Sequence, residues 1–549
     1  MKRWDFHSAF DSAEDLFVDI GNKCYDFWGR VIETARLAEA NDFLVISGWE
    51  STAIENHSGL LDNLRQFKGI PELLKKRLAP FRPVIKAHSL VLSKNDSLVC
   101  DLFLLNETGK SLGKEMQFSI TDPEGKITEL GRYQIPDFEA DRFVYPITND
   151  VSTKALSEPG KYRLRLSLVD NPNYFSEEQI LVIDPIGEGQ LPQKVGVLCD
   201  NKDFLAAVNS LPGLDAEMYQ SEQEYDVAIV SDRLMYGWRS EVESTREIQG
   251  TEDDVLYHTE SWGWKKNLEY TFYDLPPGKA RVTLKFAEIT LSKPGARIFD
   301  VAINGQTVLK DFDIYATAGG PNIAVDTAFT VDAPEGMVQI TIPRRTVNYG
   351  KFSAIKVEAG DTTIAINCGA KQPYRDKNGL VWEVYRGRVY LNDELIERAK
   401  NGMNLLILPQ GEDATLEYVN RFSKAGAFQS AGHVGKTRAS WMGSWYFVRE
   451  HPVFEGLPVD QALKSYYQVP VSSADGVLIE EGEGIEVFAG YGRDHDRNIG
   501  AASFTAPLGQ GKILFHTFPG LISGMTGEQT GMHPVIAKRL MANSLRYLR

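Results

Sequence analysis

Between residues 194 and 410 the sequence starts one architecture, breaks off into another, and then returns to the first. KVGVLCD at 194 to 200 is an apolar run, the helix-like DFLAAVNSL follows it, and YDVAIVS at 225 to 231 is a second apolar run. Short runs without polar alternation are strands buried on both faces, which places them in a parallel sheet covered by helices. From 250 to 358 the spacing becomes β-rich, after which a helix near 393 to 401 and the strand NLLILPQ at 404 to 410 restore the earlier pattern. The strand KILFHTF at 512 to 518 and the amphipathic helix MHPVIAKRLMANSLRYL at 532 to 548 complete it. This order predicts a β-domain, 236–385, inserted into a loop of an α/β domain, 189–235 and 386–549. Insertion of this kind is tolerated when the guest's termini lie close together.

Two further regions precede the α/β pattern. A chain of 549 residues exceeds what one hydrophobic core organises, so three or four domains are expected. Across 81–188, HSLVLS, SLVCDLFLLN, EMQFSIT, DRFVYPI, KYRLRLSLVD and EQILVID alternate with period two and are separated by turn residues. Short strands at regular spacing without helices predict an immunoglobulin-like β-sandwich. In 1–80, YDFWGRVIETARLAEA at 25 to 40 has helical spacing and leads through Asn41-Asp42 into the apolar run FLVISGW at 43 to 49. A helix followed by a fully apolar strand follows the order of a β/α barrel, in which chemistry sits at strand C-termini. Only one such unit, with part of another, precedes residue 80.

Composition narrows the function classes. Apolar residues at 43% and charged residues at 24% are ordinary for folded domains. A formal charge of −16 repels phosphate backbones and anionic membrane surfaces, which argues against nucleic acid as a partner. Cys24, Cys100, Cys199 and Cys368 are widely separated, with none of the Cys/His spacings that hold a metal, and are expected to be buried thiols. No cofactor motif stands out: EGEGIEVFAGYGRD at 481 to 494 lacks the helix-opening G-x-G-x-x-G of a dinucleotide site. No apolar window is long enough to span a bilayer, so no membrane partner is expected. Acidic residues from Asp5 to Asp15 interrupt any signal-peptide run, and the sequence assigns no compartment.

Three stretches, GTEDDVLYHTESWG at 250 to 263, LPPGKARVTLKFAEI at 275 to 289 and RIFDVAINGQTVLKDFDI at 297 to 314, together resemble the malectin domain, a carbohydrate-binding jelly roll. AINCGAKQPYRDKNGLVWEV at 365 to 384 resembles that domain's opening strand and turn, yet here it follows the other motifs. The order suggests a circularly permuted module, or else a chance match at the start of the second half of the α/β domain. The resemblance implies a sugar cleft containing Trp262, which follows the T-E pair, and Tyr236. It also implies a role for Asn348, near where malectin places an acidic ligand to sugar hydroxyls. Where malectin has two further aromatics after F-A-E, this chain has Thr290 and Leu291.

The stretch from 19 to 65, with the sandwich after it, resembles the end of a barrel from glycoside hydrolase family 2, the β-galactosidase and β-glucuronidase family. That resemblance implies Trp49 as the floor of a sugar subsite, with Glu50, Glu55 and His57 nearby. Retaining hydrolysis needs two carboxylates roughly 5 Å apart, and the family carries them on barrel strands absent here, so no catalytic residue is expected. HPVFEGLP at 451 to 458 and LGQGKILFHTFPG at 508 to 520 resemble a class I amidotransferase-like, flavodoxin-like α/β domain. Neither Cys199 nor Cys368 has the glycine-flanked turn an amidotransferase nucleophile requires, and His516 and His533 are expected to pack or cap.

The combined expectation is a multidomain protein, mainly β plus α/β. It comprises a barrel remnant, an immunoglobulin-like sandwich, and a malectin-like jelly roll inserted in the α/β domain. Its expected role is carbohydrate binding, to an oligosaccharide or polysaccharide, as the accessory C-terminal portion of a family 2 glycoside hydrolase. The missing catalytic barrel would be its partner. A non-catalytic scaffold that binds no sugar is the alternative.

Overall fold

The fold is given by a computed structural model that describes residues 4–38, 59–139, 141–232, 238–242, 245–263, 268–333, 336–385, 389–437, 443–459, 461–469, 474–494, 496–528 and 531–549. The chain divides into two compact units, Met1–Ser231 with Leu391–Arg549, and Asp232–Tyr390. Most of its regular structure is β, with helices concentrated in the first unit. Among the described residues no helix is long and apolar enough to cross a membrane.

In the first unit a long helix, Ala13–Leu37, begins twelve residues before the expected one. Ser12 accepts from the Asp15 backbone N–H while Asp15 accepts from the Ser12 N–H, a capping box that stabilises the helix start. The sandwich strands that follow form two sheets over one core. One contains Phe81–Ala87, Ser97–Asn106 and Val144–Ala155, and the other holds Phe175–Ile183, Gly160–Leu168 and Glu115–Thr121 between two edge strands. Two strands escape the period-two reading for physical reasons. Phe81–Ala87 is interrupted by Arg82 and Pro83, and Ile127–Gln134 is an edge strand whose residues are largely exposed, so no apolar alternation marks it.

The α/β part centres on one large sheet. Ala216–Met218, Val195–Cys199, Val227–Ser231, Asn404–Ile407 and Gly511–His516 pair in parallel in that spatial order. Beyond them Gly500–Leu508, Glu486–Arg493 and Ser444–Val448 continue the sheet antiparallel. Gly509 and Gln510 form a two-residue hairpin loop with Gly509 at φ 63°, a conformation glycine adopts without strain. LGQGKILFHTF is therefore a tight hairpin and not a crossover.

In the second unit two sheets enclose a core of Leu284, Phe286, Phe299, Ile340 and Phe352, among others. The order in one is Val325–Ala333, Gly278–Phe286, Ala354–Ala359, Thr362–Asn367. The other contains Glu269–Phe272, Val338–Thr341, Ile298–Ile303 and Gln306–Phe312. A small third sheet joins Trp238–Glu241, Thr259–Trp262 and Lys351–Phe352. The segment at 365 to 384 packs in this unit: Ile366 pairs with Ile355, and Ile366 and Cys368 lie in its core.

Candidate functional site

Thr259–Trp262 and Lys351–Phe352 pair in antiparallel register, with Trp262 opposite Lys351. Strand alternation sends the neighbours Glu260 and Trp262 to one side. The half-buried Trp262 indole stacks on Tyr349, centroids 4.1 Å apart and planes inclined by 22°, and its Nε1 donates to Ser240 Oγ at 2.8 Å. Asn348 is exposed, at φ 61°, and its Oδ1 accepts from the Tyr349 N–H at 3.0 Å. The Asn348 carboxamide thus presents its amino group, a donor, where an acidic ligand was the model for its role. Thr290 is exposed and Leu291 half-buried, so this rim carries no aromatic at those two positions.

Beneath the aromatic pair lies a buried ion network. Lys351, Glu260, Glu288 and Arg297 are all 1% exposed or less. Lys351 Nζ is paired with Glu260 and lies 3.4 Å from Glu288, while Arg297 Nε donates to Glu288 at 2.8 Å. Two cations facing two carboxylates leave no net buried charge, the condition under which such groups are tolerated. Burial alone would raise the Glu288 pKa, but hydrogen bonds from Arg297 and the charge of Lys351 hold it down at about 2. The network is wired to the surface. Arg297 donates to the Tyr349 carbonyl at 2.8 Å and its guanidinium lies 4.3 Å from the Tyr349 ring centroid, a cation–π contact. Glu288 Oε1 accepts from the backbone N–H groups of Thr290 and Leu291 at 3.1 and 3.0 Å.

Glycines complete the frame. At Gly369, φ 79°, a Cβ would come within 2.4 Å of the Glu260 carbonyl oxygen, so the chain returning from 365 can approach the platform strand only as glycine. Gly379, at φ 84°, ends a turn in which Asp376 accepts from the N–H groups of Asn378 and Leu380 and from Trp382 Nε1.

The structure brings Trp262 and Asn348 to one surface, with Tyr349 between them. Tyr236, Trp49, Glu50, Glu55 and His57, together with the run at 43 to 49, lie outside the described residues. Sequence reading missed Tyr349, although its adjacency to Asn348 was a usable signal. The ion network carried no comparable signal, since Lys351 and Glu260 are 91 residues apart. In the first unit it also missed His433, whose Nδ1 lies 2.8 Å from the buried Asp475 carboxylate. Burial would lower the His433 pKa, and Asp475 raises it instead. His516 is enclosed between Ser503 and Ser544 hydroxyls at 2.7 and 2.9 Å, and burial pushes its pKa down to about 3. His533 precedes the C-terminal helix Pro534–Tyr547, 3.3 Å from Ser89 Oγ. All four cysteines are buried outside disulfides, and burial pushes the Cys24 thiol up to about 11 and Cys368 to about 12, which disfavours thiolate chemistry. Among the described residues, His88, Asp101 and Asp150 are close enough together to share a metal ion, but Asp101 already accepts from His88 and from the Asp150 N–H.

Comparison with known proteins bears on the second unit. A family model described as "Malectin domain" matches residues 208–359. Malectin-B of Xenopus laevis is 34% identical over 92 residues, covering 16% of this chain and 32% of that protein. Malectin of Homo sapiens is 39% identical over 71 residues, covering 12% of this chain and 23% of its own length. The chain therefore spans about a third or less of the curated relatives it matches. Among solved structures it is similar to the ANXUR2 extracellular domain from Arabidopsis thaliana, 11% identical at a TM-score of 0.21, over 48% of this chain and 82% of that one. A superposition at that score carries no weight. The sequence matches do, and they agree with the paired β-sheets of the second unit: the chain contains a malectin domain, residues 208–359.

Proposed function

We propose that the second unit is a carbohydrate-recognition module in which Trp262 and Tyr349 form a platform for the apolar face of a pyranose ring, while the Asn348 amide donates to a sugar hydroxyl. The observation that carries this reading is the stacked, half-buried aromatic pair anchored from beneath by Arg297 and Glu288. An ordered aromatic costs little entropy to present, and a polar rim orients what stacks on it. The antiparallel pairing of Thr362–Asn367 with Ala354–Ala359 supports a circular permutation of the module. For the wider setting we propose the accessory portion of a family 2 glycoside hydrolase acting on β-linked glycans, with the host domain amidotransferase-like. The support for that setting is the resemblance at 19–65, 451–458 and 508–520.

The test is binding to a panel of neutral oligosaccharides by the wild type and by Trp262→Ala. Stacking on one indole contributes on the order of 1 kcal/mol by analogy with aromatic pairs, so the affinity of the variant should fall several-fold without loss of fold. Equal binding by both removes Trp262 from the site. No binding by either favours an assembly role.

A further inference from the structure

The malectin unit has a concavity that shares no residue with the aromatic platform. It is a cleft of about 540 Å³ on the outer face of the four-stranded sheet. In Gly278–Phe286 the residues Ala280, Val282, Leu284 and Phe286 point into the core, so Arg281, Thr283 and Lys285 line the opposite face. Register sets Thr283 between Ala328 and Lys356, and Lys285 beside Asp326. Segments around Asp253 and the hairpin ending at Trp382 wall one end.

The formal charges lining the cleft balance, but their hydrogen-bonding capacity does not. Each carboxylate is occupied by donors of the protein itself. Asp253 accepts from Tyr374 Oη and the Lys377 N–H at 3.0 and 3.1 Å. Asp376 accepts from two backbone N–H groups and the Trp382 indole. Asp326 accepts from Tyr257 Oη and Lys285 Nζ, both at 2.5 Å. On the donor side, among the described residues, Lys356 hydrogen-bonds Glu358 at 3.1 Å and its charge also acts on Asp376, while exposed Arg281, opposite Glu358 in register, has no hydrogen-bond or ion-pair partner. Among the described residues the cleft therefore holds one uncommitted cation, a guanidinium whose planar fork matches a carboxylate.

We propose that this cleft is a second glycan subsite that takes the carboxylate of an acidic sugar, a uronate unit, on Arg281, with Lys356 adding charge attraction. The proposal rests on the reading of this unit as a glycan-binding module. It makes the domain a two-point reader: an aromatic face for a neutral pyranose and a cleft with an uncommitted guanidinium for an anionic one. The site works against the field of a chain with formal charge −16, so its pull on an anion is local and short-ranged.

The test is titration of the full chain with a β-linked oligosaccharide containing glucuronate, and with its neutral glucose counterpart of equal length, at low and high salt. The acidic sugar should bind about tenfold more tightly, as one charge-assisted contact gives, and salt should shrink that preference. Arg281→Ala should abolish the preference and Arg281→Lys should keep part of it. Both substitutions are at an exposed position and should leave the fold intact. Trp262→Ala should weaken both sugars and leave their ratio unchanged. A preference that survives Arg281→Ala, or no preference in the wild type, overturns the proposal. If neutral binding is still lost in Trp262→Ala, the platform reading stands without it. A sulfated oligosaccharide bound more tightly than the uronate, with the gain lost in Arg281→Ala, overturns the carboxylate assignment.

Discussion

Among the described residues two buried ion networks of similar composition, one in each unit, end differently. In the first unit Arg77 bridges Glu33 at 2.8 Å and Glu178 at 2.6 Å, Arg82 binds Glu33, and Arg30 binds Glu178. Glu33 lies on the helix Ala13–Leu37 and Glu178 on the sandwich strand Phe175–Ile183, so the work of this network is to fasten a helix to a sheet. In the malectin unit the Glu260, Lys351, Glu288 and Arg297 network has one arm under the Tyr349 ring and another on the loop at Thr290 and Leu291. A buried pair adds little stability over a packed apolar core. Its effect on function therefore depends on what its outermost donor holds.

Removing one charge from each network should separate the two cases. Lys351→Met leaves two carboxylates in the core facing Arg297 alone and should cost about 3–5 kcal/mol. Thermal unfolding should show that loss, together with loss of oligosaccharide binding at temperatures where the variant is still folded. Glu33→Gln takes the carboxylate partner from Arg82 and one of two from Arg77 in the first unit and should destabilise by about 3 kcal/mol. Sugar affinity there should remain at the wild-type level. If the two variants affect binding equally, the distinction between the networks fails.

Acid should act on the malectin unit through Glu288. Its folded pKa near 2 lies below the ordinary 4.5, so the stabilisation it provides is complete above pH 4.5 and disappears as pH falls through 2. The full linkage amounts to at most about 3 kcal/mol. Denaturant midpoints of the wild type and Glu288→Gln should converge across that window. Midpoints that keep a constant separation down to pH 2 would show that the carboxylate is not held as the geometry implies.

Legibility in the sequence followed the same division. Where a strand has one apolar face, as in SLVCDLFLLN and EMQFSIT, the observed strands Ser97–Asn106 and Glu115–Thr121 coincide with the runs that alternate. Where the signal is a cap or an exposed edge, as at Ser12 and Ile127–Gln134, periodicity does not register it. Half of the large sheet is antiparallel because a two-residue glycine hairpin reverses the chain, a detail that apolar runs alone do not encode. At the proposed platform, motif resemblance led to Trp262 and Asn348, but Lys351 reads as an ordinary surface lysine until folding places it against Glu260. Arg281, Thr283 and Lys285 were legible in principle, because KARVTLKF alternates and puts them on one face.

The central claim is that a pyranose stacks on the Trp262–Tyr349 pair, and the indole N–H of Trp262, hydrogen-bonded to Ser240, reports on it directly. Two-dimensional NMR of the protein with its tryptophans labelled, during addition of a neutral oligosaccharide, should shift the resonance that disappears in Trp262→Phe more than any other indole signal, in proportion to occupancy. If the sugar binds while that resonance stays in place, the platform is not the site and the account is contradicted.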